Sequence, residues 1–112
     1  MSAPQLNRKL ALEEAQRVPD GAGGYGLTWV MLGTLWARID PGTGRERAGE
    51  FVTLSHVSYR ITVRAARQGA PSRPKPEQRF RDGTRIFRIT AVTEDDAEGH
   101  YLTCFAQEEV LA

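Results

Sequence analysis

The stretch Val57-Ser58-Tyr59-Arg60-Ile61-Thr62-Val63-Arg64-Ala65 decides the fold class. In an extended chain Val57, Tyr59, Ile61, Val63 and Ala65 fall on one side, and Ser58, Arg60, Thr62 and Arg64 on the other. A period of two with one apolar and one basic face is the pattern of a strand that buries one side and wets the other. Upstream, Leu27, Trp29, Met31, Leu35, Ala37 and Ile39 repeat at the same period, with Gly33 as an expected bend or bulge and Trp36 on the opposite face. Downstream, Arg79-Phe80-Arg81 is a short strand, and the Asp82-Gly83 pair is a hairpin signal leading into Thr84 to Val92. That second strand is β-rich but mixed in its alternation, which predicts apolar contacts on both of its faces. A last strand, Tyr101 to Ala106, sets Leu102, Cys104 and Ala106 against Tyr101, Thr103 and Phe105.

The N-terminal stretch is ambiguous. Leu6, Leu10, Glu13, Glu14 and Arg17 have helix-forming character, whereas Leu10 and Leu12 alternate as in a strand; propensity leans helical. Loops are expected at residues 18–26, with four glycines, at 41–55, and at 68–78, where Pro71, Pro74 and Pro76 predict an extended, exposed arm. The fold class is therefore mainly β: a small antiparallel β-barrel or sandwich of about five to seven strands, with long loops and at most a short helix. At 112 residues the chain is expected to be a single domain, residues 1–112, able to bury roughly two-thirds of its unfolded surface.

Apolar residues are 40% and charged residues 26% of the chain, which argues against wholesale disorder. No apolar run approaches the ~20 residues that span a bilayer, and a signal-peptide layout is not visible at the N-terminus. Cys104 is the single cysteine and has no partner for an internal disulfide, which points to a reducing cytosol. The formal net charge of +1 hides a segregation. Residues 1–37 balance Arg8, Lys9 and Arg17 against Glu13, Glu14 and Asp20. Residues 38–88 carry twelve basic side chains against five acidic ones, a net of +7. Residues 89–112 carry six acids and no basic side chain, a net of −6. Such a chain either lets opposite charges neighbour one another in the fold, or offers opposite surfaces to other molecules, including copies of itself.

Catalytic and cofactor chemistry finds little support. Gly21-x-Gly23-x-x-Gly26 matches a dinucleotide fingerprint by letter, but a strand follows it where a helix is required. His56, His100 and Cys104 do not assemble a zinc set, and Cys104 shares a face with Leu102 and Ala106 as a core cysteine does. Glu94, Asp95, Asp96 and Glu98 lack the spacing of a calcium loop. No catalytic residue, metal or cofactor is expected. The arginines Arg60, Arg64, Arg85 and Arg88 are candidates for a basic face, or for a subunit interface against the acids Glu94, Asp95 and Asp96. Tyr59 and Phe87 read as core rather than as a base-stacking platform.

The order of motifs resembles a known family. Gly26-Leu27-Thr28-Trp29, Leu35-Trp36-Ala37-Arg38-Ile39-Asp40-Pro41 and Gly44-Arg45-Glu46 come first. The strand His56 to Arg64, the hairpin segment Asp82-Gly83-Thr84-Arg85-Ile86-Phe87-Arg88-Ile89-Thr90-Ala91-Val92 and Tyr101-Leu102-Thr103-Cys104 follow. From about Leu6 to Glu108 this is similar to the head–tail joining proteins of tailed phages and gene transfer particles, also called head-closure or stopper proteins. The resemblance implies a non-enzymatic virion component, made in the bacterial host cytoplasm, whose copies form a ring of six or twelve in the particle neck. Its implied partners are further copies of itself, a portal–adaptor ring above, a tail terminator or tail tube below, and non-specific double-stranded DNA in the channel, with no membrane. It also implies a strand near Arg8 to Ala15 and a loop from Pro41 to Phe51 that brings Arg45 and Arg47 toward the ring axis. The Pro-rich segment is expected to dock on a neighbouring ring. The competing readings are a free nucleic-acid-binding β-barrel and a tail-terminator component of the same neck.

Overall fold

Alternation in the sequence becomes an all-antiparallel sheet. The structure, a computed structural model, describes residues 4–42 and 56–109. Six strands run in chain order: β1 (Arg8–Pro19), β2 (Tyr25–Pro41), β3 (His56–Arg64), β4 (Arg79–Asp82), β5 (Arg85–Glu94) and β6 (Tyr101–Glu109). No helix occurs among the described residues. The strands pair in the order β1-β2-β3-β6-β5-β4, and β4 returns to β1 to close the sheet. Closure leaves the core inside, where Leu10, Leu12, Ala37, Ile61, Val63, Phe80, Phe87, Ile89, Leu102, Cys104 and Ala106 are buried. Tyr59 meets Phe87 edge-on, with ring centroids 5.3 Å apart and planes at 88°, the arrangement aromatic quadrupoles favour.

The strand expected at Val57 to Ala65 runs from His56 to Arg64, with Ile61 and Val63 fully buried and Arg60 and Arg64 outside. The helical lean at the N-terminus is corrected. β1 is a strand because Leu10 and Leu12 bury on one face, opposite Leu35 and Gly33 of β2. The Gly33 bulge is present, and it overturns the single face expected for β2. Leu12 pairs with Gly33, but Glu13 pairs with Met31, so Leu32 is the extra residue and the side-chain phase reverses. Leu35, Ala37 and Ile39 stay on the core side, whereas Leu27 and Met31 are 65% and 61% exposed.

A second bulge, between Ile89 and Ala91, explains the mixed alternation of β5. Apolar contacts on two faces are not needed. Phe87 and Ile89 face the core before the bulge and Val92 packs against it afterwards, while the Thr90 hydroxyl donates to the Phe105 carbonyl at 3.1 Å. The tight β4–β5 turn places Gly83 at φ 63°, a left-handed conformation that glycine adopts without a Cβ clash. The Pro-rich segment is likewise not an extended arm. Pro74 is fully buried, Ala70, Arg73 and Gln78 close turns onto Arg67, Ala70 and Lys75, and the Arg73 guanidinium donates to the Ala66 carbonyl at 2.7 Å.

Phe87→Ala is expected to remove about 3–5 kcal/mol of unfolding free energy in urea denaturation. Val57→Ala, at a site 43% exposed, should change it by no more than about 0.5 kcal/mol. A Phe87 variant as stable as the parent contradicts the closed core.

Candidate assembly surface

The barrel closes through only three residue pairs, Ala11 with Arg81, Leu12 with Phe80 and Glu13 with Arg79. Sequence reading assigned Glu13 no role beyond helix propensity. In the fold its side chain accepts from Arg79 Nε at 2.6 Å and from Arg81 Nε at 3.0 Å. Glu13 and Arg79 are each only 9% exposed. Burial pushes the Glu13 carboxyl up, and the hydrogen bonds and positive charges of Arg79 and Arg81 outweigh that, leaving it below the ordinary carboxylate range. The Arg79 guanidinium carbon lies 3.9 Å from the centre of the Trp29 ring, a cation–π contact. One arginine therefore joins the seam to the strand next door. The signal in sequence was the Arg79-Phe80-Arg81 alternation, which places two positive charges on one face and calls for an acid opposite.

Beyond that junction β1 and β2 continue as a two-stranded arm. β1 pairs β4 only at Ala11 to Glu13, and β2 pairs β3 only at Ala37 to Pro41. The ladder from Glu14–Val30 to Pro19–Tyr25 thus has no strand beside either outer edge among the described residues. The tip is ordered by Asp20, whose Oδ1 accepts from the amides of Ala22 at 2.8 Å and Gly24 at 3.0 Å, and these bonds hold its carboxyl below the ordinary range. Tyr25, Leu27, Trp29 and Met31 lie on one face of the arm. Tyr25 is 63% exposed and stacked under Arg17 at 4.8 Å. Sequence reading placed a glycine-rich loop at 18–26; the glycines form only the tip of this ribbon.

The arginines singled out from the sequence are not brought onto one face. Arg60 and Arg64 stand exposed on the outside of β3. Arg60 lines a concavity of about 420 Å³ with Arg38, Asp40, Thr62, Thr93, Asp95, Thr103 and Phe105. Arg64 lies 5.6 Å from the Tyr101 ring centre and borders a groove of about 490 Å³ with Pro4, Leu6, Thr34, Leu35 and Trp36. Arg85 belongs elsewhere. It makes two bonds to Glu108, at 2.8 and 3.0 Å, and its guanidinium lies 4.9 Å from the Phe87 ring centre, near the buried core. That pairing pulls Glu108 below the ordinary carboxylate range. Arg88, exposed on β5, pairs with Glu77 at 2.9 Å. Arg45 and Arg47 lie outside the described residues.

The acidic turn uses its own charges. Asp95 accepts from the Thr103 hydroxyl at 2.8 Å, and Asp96 accepts from the amides of His100 and Tyr101 at 2.8 and 3.1 Å. Glu94 is exposed. Asp96, Glu98 and His100 bring ligand-type atoms within 4.8 Å of one another, in an exposed turn of a kind common without any ion. Cys104 is buried, and burial pushes its thiol up to about 12, so it is protonated and inert at neutral pH.

The described residues thus form a closed barrel with a charged seam, a projecting arm with an apolar strip, and two exposed arginines on the outer face of β3. The phage head completion protein family matches residues 1–109, and the chain belongs to that family, one of structural head components rather than of enzymes. A solved chain from the virion of a native gene transfer agent particle is 64% identical, with a TM-score of 0.81 over 98% of this chain and 100% of that one. The solution structure of protein SF1141 from Shigella flexneri 2a has a TM-score of 0.68 at 20% identity, covering 96% of each chain, a likeness of fold alone. No curated protein matches the chain.

Glu13 supplies a pH test. Its folded-state pKa lies below the unfolded value, so its stabilisation is complete above the ordinary value of 4.5 and is lost as the pH falls through the folded value. Thermal unfolding followed by circular dichroism should show a falling midpoint from about pH 5 downward. Glu13→Gln should cost about 3 kcal/mol at neutral pH and flatten that decline. An unchanged slope in the variant removes Glu13 from the account.

Proposed function

We propose that the protein is a structural neck component of a tailed phage or phage-like particle, a ring-forming head-closure or stopper protein. It joins a portal–adaptor complex to the tail and retains packaged DNA. The observation that carries this reading is membership of the head completion family over residues 1–109, with 64% identity to a chain from a gene transfer agent virion. The whole chain, residues 1–112, acts as one joining domain, assembled with head and tail proteins after synthesis in the bacterial cytoplasm.

The physical requirements of the role fit the surface. A ring around passing DNA needs electrostatic contact without base recognition, which arginines supply through phosphates. In this reading Arg45 and Arg47 tip the loop of 41–55 that lines the channel. Arg60 and Arg64, with no carboxylate partner among the described residues, serve the basic outer face or a subunit boundary. Arg85 and Arg88 are paired within the subunit to Glu108 and Glu77, and Asp95 and Asp96 to their own turn, so of the candidate interface residues Arg60, Arg64 and Glu94 are the ones offered to a neighbour.

Particles produced without this chain should contain DNA-filled heads that leak and carry no tail by electron microscopy. Complete, transfer-competent particles would falsify the neck reading. Arg45→Glu combined with Arg47→Glu should leave the folded monomer intact and reduce nuclease-protected DNA in particles. Unchanged protection discards the channel-loop assignment.

A further inference from the structure

Among the described residues, the arm half of β2 is a long unguarded edge. From Tyr25 to Ala37 the chain has no charged residue, and from Tyr25 to Trp36 no strand pairs with its outer edge among the described residues. Edge strands of soluble proteins are ordinarily protected by charges, proline or short length. The other edge of the arm has such protection in Glu14, Arg17 and Pro19, and the β2 edge does not. Its outward side chains add an apolar strip in which Tyr25, Leu27 and Met31 are each more than 60% exposed. A two-stranded ribbon without a third strand is marginal in water. Exposed apolar strips on unprotected edges are features that assembly ordinarily covers.

We propose that the strip Tyr25–Leu27–Met31 docks on a second copy of this chain, in the groove bordered by Pro4, Leu6, Thr34, Trp36 and Arg64. The inference rests on the ring reading and names its contact. The groove is large enough for apolar side chains, about 490 Å³, and it offers Trp36, itself 56% exposed. Charge fits as well. The arm ends in Asp20, kept ionised by two amides, while the groove carries the Arg64 guanidinium and no acid in its lining. An arm cannot fill its own groove. Leu27 and Trp36 are nine positions apart on one strand, roughly 30 Å at the rise of an extended chain. The contact is therefore heterologous, arm to groove, and a heterologous contact whose rotation closes generates a ring.

The test is made in assembled particles. A chain carrying both Leu27→Cys and Thr34→Cys, with Cys104 left buried, is treated with a short bismaleimide and resolved on denaturing gels. The expected result is a ladder of covalent multimers, with only weak dimer bands from either single variant. Particles that contain several copies of the chain yet give no ladder, or that give strong dimers from Leu27→Cys alone, overturn the arm-to-groove contact and leave the ring reading standing. Particles that hold a single copy overturn the ring reading itself. As a second measurement, Leu27→Asp should leave the thermal midpoint of the free chain within a few degrees, because that side chain is 65% exposed and lies opposite Arg17, away from the Glu13 seam. Incorporation into particles should fall about tenfold or more. Undiminished incorporation also overturns the contact.

Discussion

The charge pairing of Glu13 with Arg79 and Arg81 is the constraint on which the closed sheet depends. β4 is four residues long and meets β1 over three pairs, too little backbone bonding to hold a barrel shut when each hydrogen bond is worth only about 1 kcal/mol net. Two arginines on the same face of so short a strand would repel each other and resist burial. With Glu13 between them the repulsion becomes attraction in a partly dry site, where removing one partner leaves a buried charge uncompensated. Phe80 stands between the two arginines on the opposite face, fully buried. The same pairing that satisfies the charges thus fixes the register that puts Phe80 against Phe87.

The constraint extends outward through Arg79. Its guanidinium contacts both Glu13 of the seam and the Trp29 ring of the arm, so the arm is tied to the seam through one side chain. The bulge at Leu32 and Gly33 sits at this junction for a physical reason. Below it β2 must face Leu35, Ala37 and Ile39 inward; above it there is no interior to face. One extra residue reverses the phase and sends the apolar side chains of the arm outside.

That reversal also explains what the sequence revealed and what it concealed. β3 was legible because it lies mid-sheet without a bulge, so its alternation maps onto inside and outside where β2 and β6 flank it, from Tyr59 to Val63; at its start, beyond β2, Val57 is 43% exposed. The final strand, between β3 and β5, was legible for the same reason, as were Tyr59 and Phe87 as core; the hairpin was legible because Asp82-Gly83 is a turn pair whose glycine adopts φ 63°. In β2 the bulge was signalled by Gly33 but its consequence was not: odd-numbered apolar residues continue across it, and only the pairing shows that their direction changed; in β5 no glycine marks the bulge between Ile89 and Ala91. The Pro-rich segment was misread because proline predicts backbone shape and not burial, and Pro74 is fully buried. Glu13 was missed because its importance lies in a contact with residues 66 and 68 positions away, which no local pattern encodes.

Segmental charge misleads in a similar way. The +7 middle and −6 end suggest two opposed surfaces, yet the structure uses much of both locally: Arg79 and Arg81 on Glu13, Arg85 on Glu108, Arg88 on Glu77, Asp95 and Asp96 on their own turn. What remains for other molecules is smaller and better placed. Arg60 and Arg64 stay exposed on β3, and the uncharged edge of β2 begins beside Arg64, just beyond the Ala37–Val63 pair. The two edges of the arm differ in kind, one carrying charges and proline and the other neither. A contact between unlike edges has a direction, and direction is what an assembly needs if it is to close on itself rather than pair off. Neither edge of the arm is paired among the described residues, so its asymmetry lies in the residues along each edge: Glu14, Arg17 and Pro19 on one, an uncharged run on the other.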